Sequence, residues 1–169
     1  MQKSIEAVLY LLSKQPDGKL NLYNLVKSLF QADVCHLNWH ARPVTGDSYI
    51  AMKYGTVPST IYDLIKGDPF AWAEAEPSPQ AFERNGNFVV GTREPNLHLL
   101  SESDQMALDK GYAEYGTLPF DQVRKRNHEH PAYIKAYERK PDSPIDPSEL
   151  IEDDQVRSEF IETSSALRI

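Results

Sequence analysis

A chain of 169 residues, 40% hydrophobic and 25% charged, is sized for one domain, or one domain with a tail, and can bury a core without metals or disulfides. The single cysteine, Cys35, excludes an internal disulfide, and a net charge of −7 argues against broad binding to a phosphate backbone, which needs clustered Lys and Arg. No stretch approaches the roughly 20 apolar residues of a membrane span, and the N-terminus, with Lys3 and Glu6, lacks a signal-peptide pattern, so a cytoplasmic protein with no membrane partner is expected.

Residues 3–15 predict an amphipathic helix, with Ile5, Val8, Leu9 and Leu12 on one face. Pro16-Asp17-Gly18 is a turn. Asn21 is placed to cap a second helix over about 22–38, whose apolar positions mark it as the centre of the core. Cys35 on this helix is expected as a buried small hydrophobe. Arg42-Pro43 and Thr45-Gly46-Asp47 are loop chemistry. Tyr49-Ile50-Ala51-Met52 is too short for periodicity to separate strand from turn. Pro58 is read as opening a short helix that buries Ile61, Leu64 and Ile65, with Gly67 just past its end.

Residues 67–86 are expected to be mostly irregular, with one helical turn near Phe70–Ala75 and with Phe70, Trp72 and Phe82 as core plugs or a contact surface. Residues 87–91 and 96–100 predict a two-stranded hairpin turning at Glu94-Pro95-Asn96. Such a hairpin must pack on helices to persist. Ser101 and Asp104 form a capping-box variant opening a helix to about Tyr115. Thr117 is read as capping a short helix with Phe120 and Val123, and Pro131 as opening another with Tyr133. The prolines at 141, 144 and 147 suggest a linker from 140, followed by a helix capped by Asp146 and a frayed end. The expected fold is therefore mainly α: a compact helical domain over 1–139 with a small two-stranded antiparallel hairpin, then a Pro-rich linker and C-terminal helix or tail over 140–169.

One run carries more chemistry than the rest. Ser28-Leu29-Phe30-Gln31-Ala32-Asp33 ends an apolar-periodic segment, and Thr45-Gly46-Asp47-Ser48-Tyr49-Ile50-Ala51-Met52-Lys53-Tyr54-Gly55-Thr56-Val57-Pro58 follows a short loop. Thr45 and Asp47 can bind backbone amides and fix a turn at Gly46. Gly55 offers a positive φ or room for a close approach. Tyr49, Tyr54 and Tyr62 supply three phenols whose hydroxyls want partners. Two readings stand: a structural clamp, or a surface presenting Tyr49, Lys53, Tyr54 and Tyr62 to a protein partner, since Tyr is favoured at interface hot spots.

The run resembles the Panacea domain family, in which a Leu-Tyr-Phe-Ala-Asp-like segment precedes Thr-Gly-Asp-x-Tyr-x-Ala-x-x-Tyr-Gly-Pro-Val-Pro. Here Thr56 stands where the family usually has the first proline. The family closes on a His followed by Pro and an aromatic, matched loosely by His128, Pro131 and Tyr133. The likeness spans about Leu20 to Tyr137. It implies an antitoxin encoded beside a small toxin and neutralising it by direct binding. It also implies an alternative, an adaptor that delivers the toxin to a ClpXP-type protease. Asp33, Thr45, Gly46, Asp47, Gly55, Pro58, His128, Pro131 and Tyr133 would then be the family's structural motif, and nucleic acid an unlikely partner.

Other constellations are weaker. His36 and His40, four apart beside Cys35, could share a helix face and a metal, and His128 and His130 form a second cluster, which together suggest a metal-dependent hydrolase as the competing class. The glutamate of a His-Glu-x-x-His motif is absent, as are a phosphate-binding loop and a nucleophile elbow. A histidine at a helix junction more often satisfies backbone groups. Arg124-Lys125-Arg126 is a short basic run with no aromatic among it. No cofactor is called for, and no enzymatic activity is expected.

Overall fold

The computed structural model describes residues 1–75 and 80–166. The chain is mainly helical, as its periodicity predicts. Helix α1 (Gln2–Leu12) and helix α2 (Leu22–His40) build the first core layer. Asn21 caps α2 by accepting the Tyr23 amide at 2.9 Å. Nearly every side of α2 is covered, from Asn24 through Leu37, so it is the central helix. Helix α5 (Glu102–Tyr115) lies directly on it. Gly111 makes this possible, because a Cβ there would sit 2.1 Å from the Ser28 carbonyl oxygen. Ser101 and Asp104 complete the expected capping box at the start of α5.

The strands depart from expectation. Two three-stranded antiparallel sheets stand where one hairpin was predicted. In the first, β4 (Phe82–Asn85) and β5 (Phe88–Gly91) turn on Gly86-Asn87, and β1 (Lys19–Asn21) adds beyond β5. The turn thus falls before residues 88–91, at Gly86 with φ 61°, and the segment 97–99 is a 3₁₀ turn. The alternation around Leu97–Leu100 was not a strand signal. Only Leu100 is buried, and Leu97 and Leu99 face solvent. Phe70, at the first turn of α4 (Pro69–Glu74), is 80% exposed, whereas Phe82 is wholly buried, with Trp72 edge-on to it at 5.1 Å. Pro77 and Pro79 lie outside the described residues.

The second sheet has the order β3-β2-β6, from β2 (Tyr49–Met52), β3 (Gly55–Pro58) and β6 (Ser143–Pro144). Strand β2 pairs with β3 in register from Tyr49↔Pro58 to Met52↔Gly55. Helix α3 (Ser59–Ile65) follows at once, with Pro58 in its N-cap position, one place before the first helical residue that the sequence suggests. Helix α6 (Phe120–His128) starts behind Pro119, not Thr117. Helix α7 (Pro131–Arg139) begins at Pro131 as expected. Beyond it, β6 pairs with β2, and Ile145, Leu150 and Ile151 enter a second hydrophobic cluster with Phe30, Leu37 and Tyr133. Asp146 caps a 3₁₀ turn, and helix α8 (Asp154–Ala166) starts later, where Asp153 accepts the Gln155 and Val156 amides.

Candidate functional site

Asp33 organises the entry to the motif. It is 1% exposed on α2. The chain leaves the helix through Ala41 in the left-handed region, φ 52°, and returns so that two amides face the carboxylate. Oδ1 accepts the Val44 amide at 2.7 Å and the Thr45 amide at 2.8 Å. Oδ2 accepts the Thr45 hydroxyl and, at 2.9 Å, the Tyr49 hydroxyl. Burial pushes the carboxyl pKa up, and the four donors hold part of that shift back. Asp47 works one step further on. It accepts the Thr60 amide at 3.0 Å and the Ile61 amide at 2.7 Å, so α3 is capped from 13 and 14 residues upstream. Gly46, at φ 67°, makes the turn between these two carboxylates.

The far end of the β2–β3 hairpin is held by side chains from three helices. Asn127 of α6 accepts the Thr56 amide at 2.8 Å and donates to the Thr56 hydroxyl at 3.0 Å. Lys27 of α2, 1% exposed, donates to the Thr56 carbonyl at 2.6 Å, and its ammonium lies 4.5 Å from the centre of the Tyr23 ring. The Tyr133 hydroxyl of α7 donates to the Met52 carbonyl at 2.8 Å, and the Tyr23 hydroxyl to the Tyr54 carbonyl. Gly55, at φ 108°, is the residue that lets these groups close in. A Cβ there would fall 2.2 Å from Asn127 Oδ1 and 2.9 Å from Lys27 Cε. With no carboxylate paired to it among the described residues, burial pulls the Lys27 amine down to about 7.

Fixing the hairpin backbone from behind leaves its tip side chains pointing out. Met52, Lys53 and Tyr54 line a cleft of about 730 Å³ together with Tyr23, Lys27, Val57, Tyr62, Arg84 and Phe120. Tyr54 is 50% exposed and Phe120 49%. The Phe120 ring lies 4.5 Å from that of Tyr23 and 6.3 Å from that of Tyr54. The structure therefore brings Lys53, Tyr54 and Tyr62 to one opening. Tyr49 is not among them, because it is buried beside Phe30 with its hydroxyl bound to Asp33. Sequence reasoning missed Tyr23, Lys27, Arg84, Phe120 and Asn127. A lysine on a helix otherwise recognised as central was the available signal.

The histidines occupy separate roles. His36 is fully buried, and its Nδ1–H donates to the Arg42 carbonyl at 2.7 Å, which leaves Nε2 to accept from the Ser103 hydroxyl at 3.0 Å. Burial lowers its pKa. His40 packs its ring on that of His36. His130 caps α7 by accepting the Ala132 amide at 3.3 Å, behind Pro131 at the first helical position. His128 stacks on Tyr133 at 4.6 Å, and its Nε2 is buried with no hydrogen-bond partner among the described residues. No three His, Cys, Asp or Glu side chains among the described residues converge as a ligand set for a metal ion.

The model of the antitoxin SocA-like, Panacea domain family matches residues 25–133, a span that opens inside α2 and closes on Tyr133. The chain belongs to the Panacea domain family. No curated protein and no solved structure matches it. The matched span contains the Asp33 turn, the β2–β3 hairpin and the Asn127 grip, and so the hairpin side of the cleft, while Asn21, Leu22, Tyr23 and Asp142 of its lining lie outside it. An antitoxin family implies a cognate toxin as partner and suggests a role without catalysis. Among the described residues of this Panacea domain, no helix is long and apolar enough to cross a membrane.

Proposed function

We infer that this Panacea domain is an antitoxin that neutralises its toxin by direct binding, with the cleft beside the β2–β3 hairpin as the contact surface. The observation that carries this reading is the exposure of Tyr54 and Phe120 on a backbone that four side chains immobilise. Large aromatic side chains on a rigid frame lose little conformational entropy on binding, and interfaces take most of their affinity from such anchors. A hairpin tip held only by its own strands would lose more.

The test is co-expression with the product of the neighbouring reading frame. Growth arrest by that product alone, rescued by the wild-type chain and not by Tyr54→Ala combined with Phe120→Ala, supports the reading. Equal rescue by the double variant moves the contact surface elsewhere, and a harmless neighbour removes the antitoxin assignment. The toxin's half-life in the rescued cells separates sequestration from delivery to a ClpXP-type protease. A stable, inactive toxin is the expected result.

A further inference from the structure

The charge around the cleft runs against the charge of the chain. The whole sequence is acidic, at −7, yet the charged side chains at the opening are Lys53 and Arg84 against one carboxylate, Asp142, with Lys27 at the base held close to neutrality. Arg124 of α6 adds a guanidinium 5.7 Å from the centre of the Tyr54 ring. The chain's other cations are often spent internally. Lys14, Lys66, Lys135 and Arg157 each hold a carboxylate oxygen at 2.5 to 2.8 Å. Lys53, Arg84 and Arg124 hold none among the described residues. Folding thus collects cations that form no ion pair among the described residues at the rim of an aromatic opening, on a molecule otherwise rich in acid.

We propose that the cleft receives an acidic segment of the partner protein, with one aromatic or large aliphatic side chain seated among Tyr54, Tyr62 and Phe120 and flanking carboxylates facing Lys53, Arg84 and Arg124. This rests on the reading of the cleft as the toxin-binding surface and adds the chemistry of what enters it. A volume of about 730 Å³ falls within the range of ligand clefts. The rigid aromatic wall supplies the anchor, and the unpaired cations supply selection through complementary charge, which also discriminates against neutral and basic segments. Aromatics interleaved with cations can also serve a single-stranded nucleic acid. Here Lys53 and Arg84 line one opening with Arg124 against the Tyr54 ring, and the surface of a chain with net charge −7 opposes a polyanion.

The experiment is a peptide-display selection of random 12-residue sequences on the purified full chain, followed by affinity measurement of the enriched peptides at low and high salt. The expected result is enrichment of Asp or Glu flanking a Phe, Trp, Tyr or Leu. Affinity should fall about tenfold for Arg84→Glu or Arg124→Glu, and more for the pair. Lys110→Glu, on α5, makes the same change of charge and is expected to leave affinity unchanged. Circular dichroism of each variant shows that the fold persists. Enrichment of neutral or basic peptides overturns the proposal, and so does no enrichment or indifference to Arg84→Glu together with Arg124→Glu. Tighter capture of a single-stranded RNA oligonucleotide than of any peptide by the same residues also overturns it. Toxin rescue that survives failure of the selection leaves the antitoxin reading standing and removes only the acidic segment.

Discussion

Asp33 and Lys27 are buried charges six residues apart on one helix, equally closed to solvent and opposite in consequence. Asp33 meets four donors, two amides and two hydroxyls, and lies inside a closed turn. Lys27 meets one carbonyl and the face of one ring, at the base of an open cleft. Unpaired burial is costly, and each hydrogen bond to the charged form offsets part of that cost. The acid is therefore anchored as a structural hub, while the amine is held close to neutrality. Between them the two side chains fix both ends of the β2–β3 segment to α2, and the lysine end opens onto the larger cleft.

The largest blow to this arrangement is expected at Gly55. Gly55→Ala places a methyl group against Asn127 Oδ1 and Lys27 Cε on backbone with φ 108°, so it displaces both groups that hold Thr56. A loss of about 3 kcal/mol or more is expected, read as a fall in the urea midpoint, from positive-φ strain together with the broken contacts. A midpoint within about 0.5 kcal/mol of wild type would show that the grip on Thr56 is dispensable.

Asp33→Ala comes next. It strands the Val44 amide and the Tyr49 hydroxyl in the core, and a loss of about 3 kcal/mol is expected, at about 1–3 kcal/mol for each orphaned buried donor. Asp33→Asn sharpens the comparison. The amide oxygen can still accept the two backbone N–H groups, and the hydroxyls can turn to accept from the amide nitrogen, so a smaller loss is expected. Equal losses in the two variants would mean that the negative charge itself, and not the hydrogen-bond count, holds the turn.

How much of this was legible beforehand follows from the range of each interaction. Asn21, the Ser101–Asp104 box and the Thr45, Asp47 turn bind groups close by in the chain or carry turn chemistry that local pattern displays, whereas Asp33, whose partners lie 11 to 16 residues on, was visible only through the family resemblance. The sheets were misread because their partners are distant. Lys19 pairs with Val90, and Ala51 with Ser143, and strands of two or three residues have no period to detect. Residues 143–144 sit in a proline-rich stretch that looks like a linker, yet Pro144 is tolerated because β6 is an edge strand. The cleft was half visible. Lys53, Tyr54 and Tyr62 come from the motif, but Phe120, Arg84 and Arg124 come from elements 20 to 70 residues away, and only folding places an aromatic beside the basic run of α6.

Lys27→Met tests the other charge through pH. The folded amine titrates near 7 and the unfolded one near its ordinary 10.5, so between those values the unfolded chain binds the extra proton. Stability from this group is full above about pH 10.5 and is lost as pH falls toward 7. Wild type should therefore gain stability relative to Lys27→Met as pH rises from 7 to 9, with a slope approaching about 1.4 kcal/mol per pH unit. The variant leaves the Thr56 carbonyl unpaired at every pH, a constant offset of about 1–3 kcal/mol. Parallel stability curves for the two proteins would show that the buried amine stays charged and that Tyr23 and Thr56 solvate it fully.

The smallest effect on stability is expected where the effect on binding is greatest. The Tyr54 ring contacts Phe120, Lys53 and Arg124 at the surface, and the hydrogen bond that fixes the hairpin there uses its backbone carbonyl, which any residue supplies. Tyr54→Ala should leave the urea midpoint within about 0.5 kcal/mol of wild type. In the same protein, toxin affinity should fall by at least about tenfold, because a half-exposed aromatic in a rigid frame is the kind of anchor that dominates an interface. A variant that unfolds instead would place Tyr54 with Tyr49, as a phenol the fold needs for itself. A variant that is stable and still binds would mean that the hairpin is a clamp whose outward face has no part in recognition.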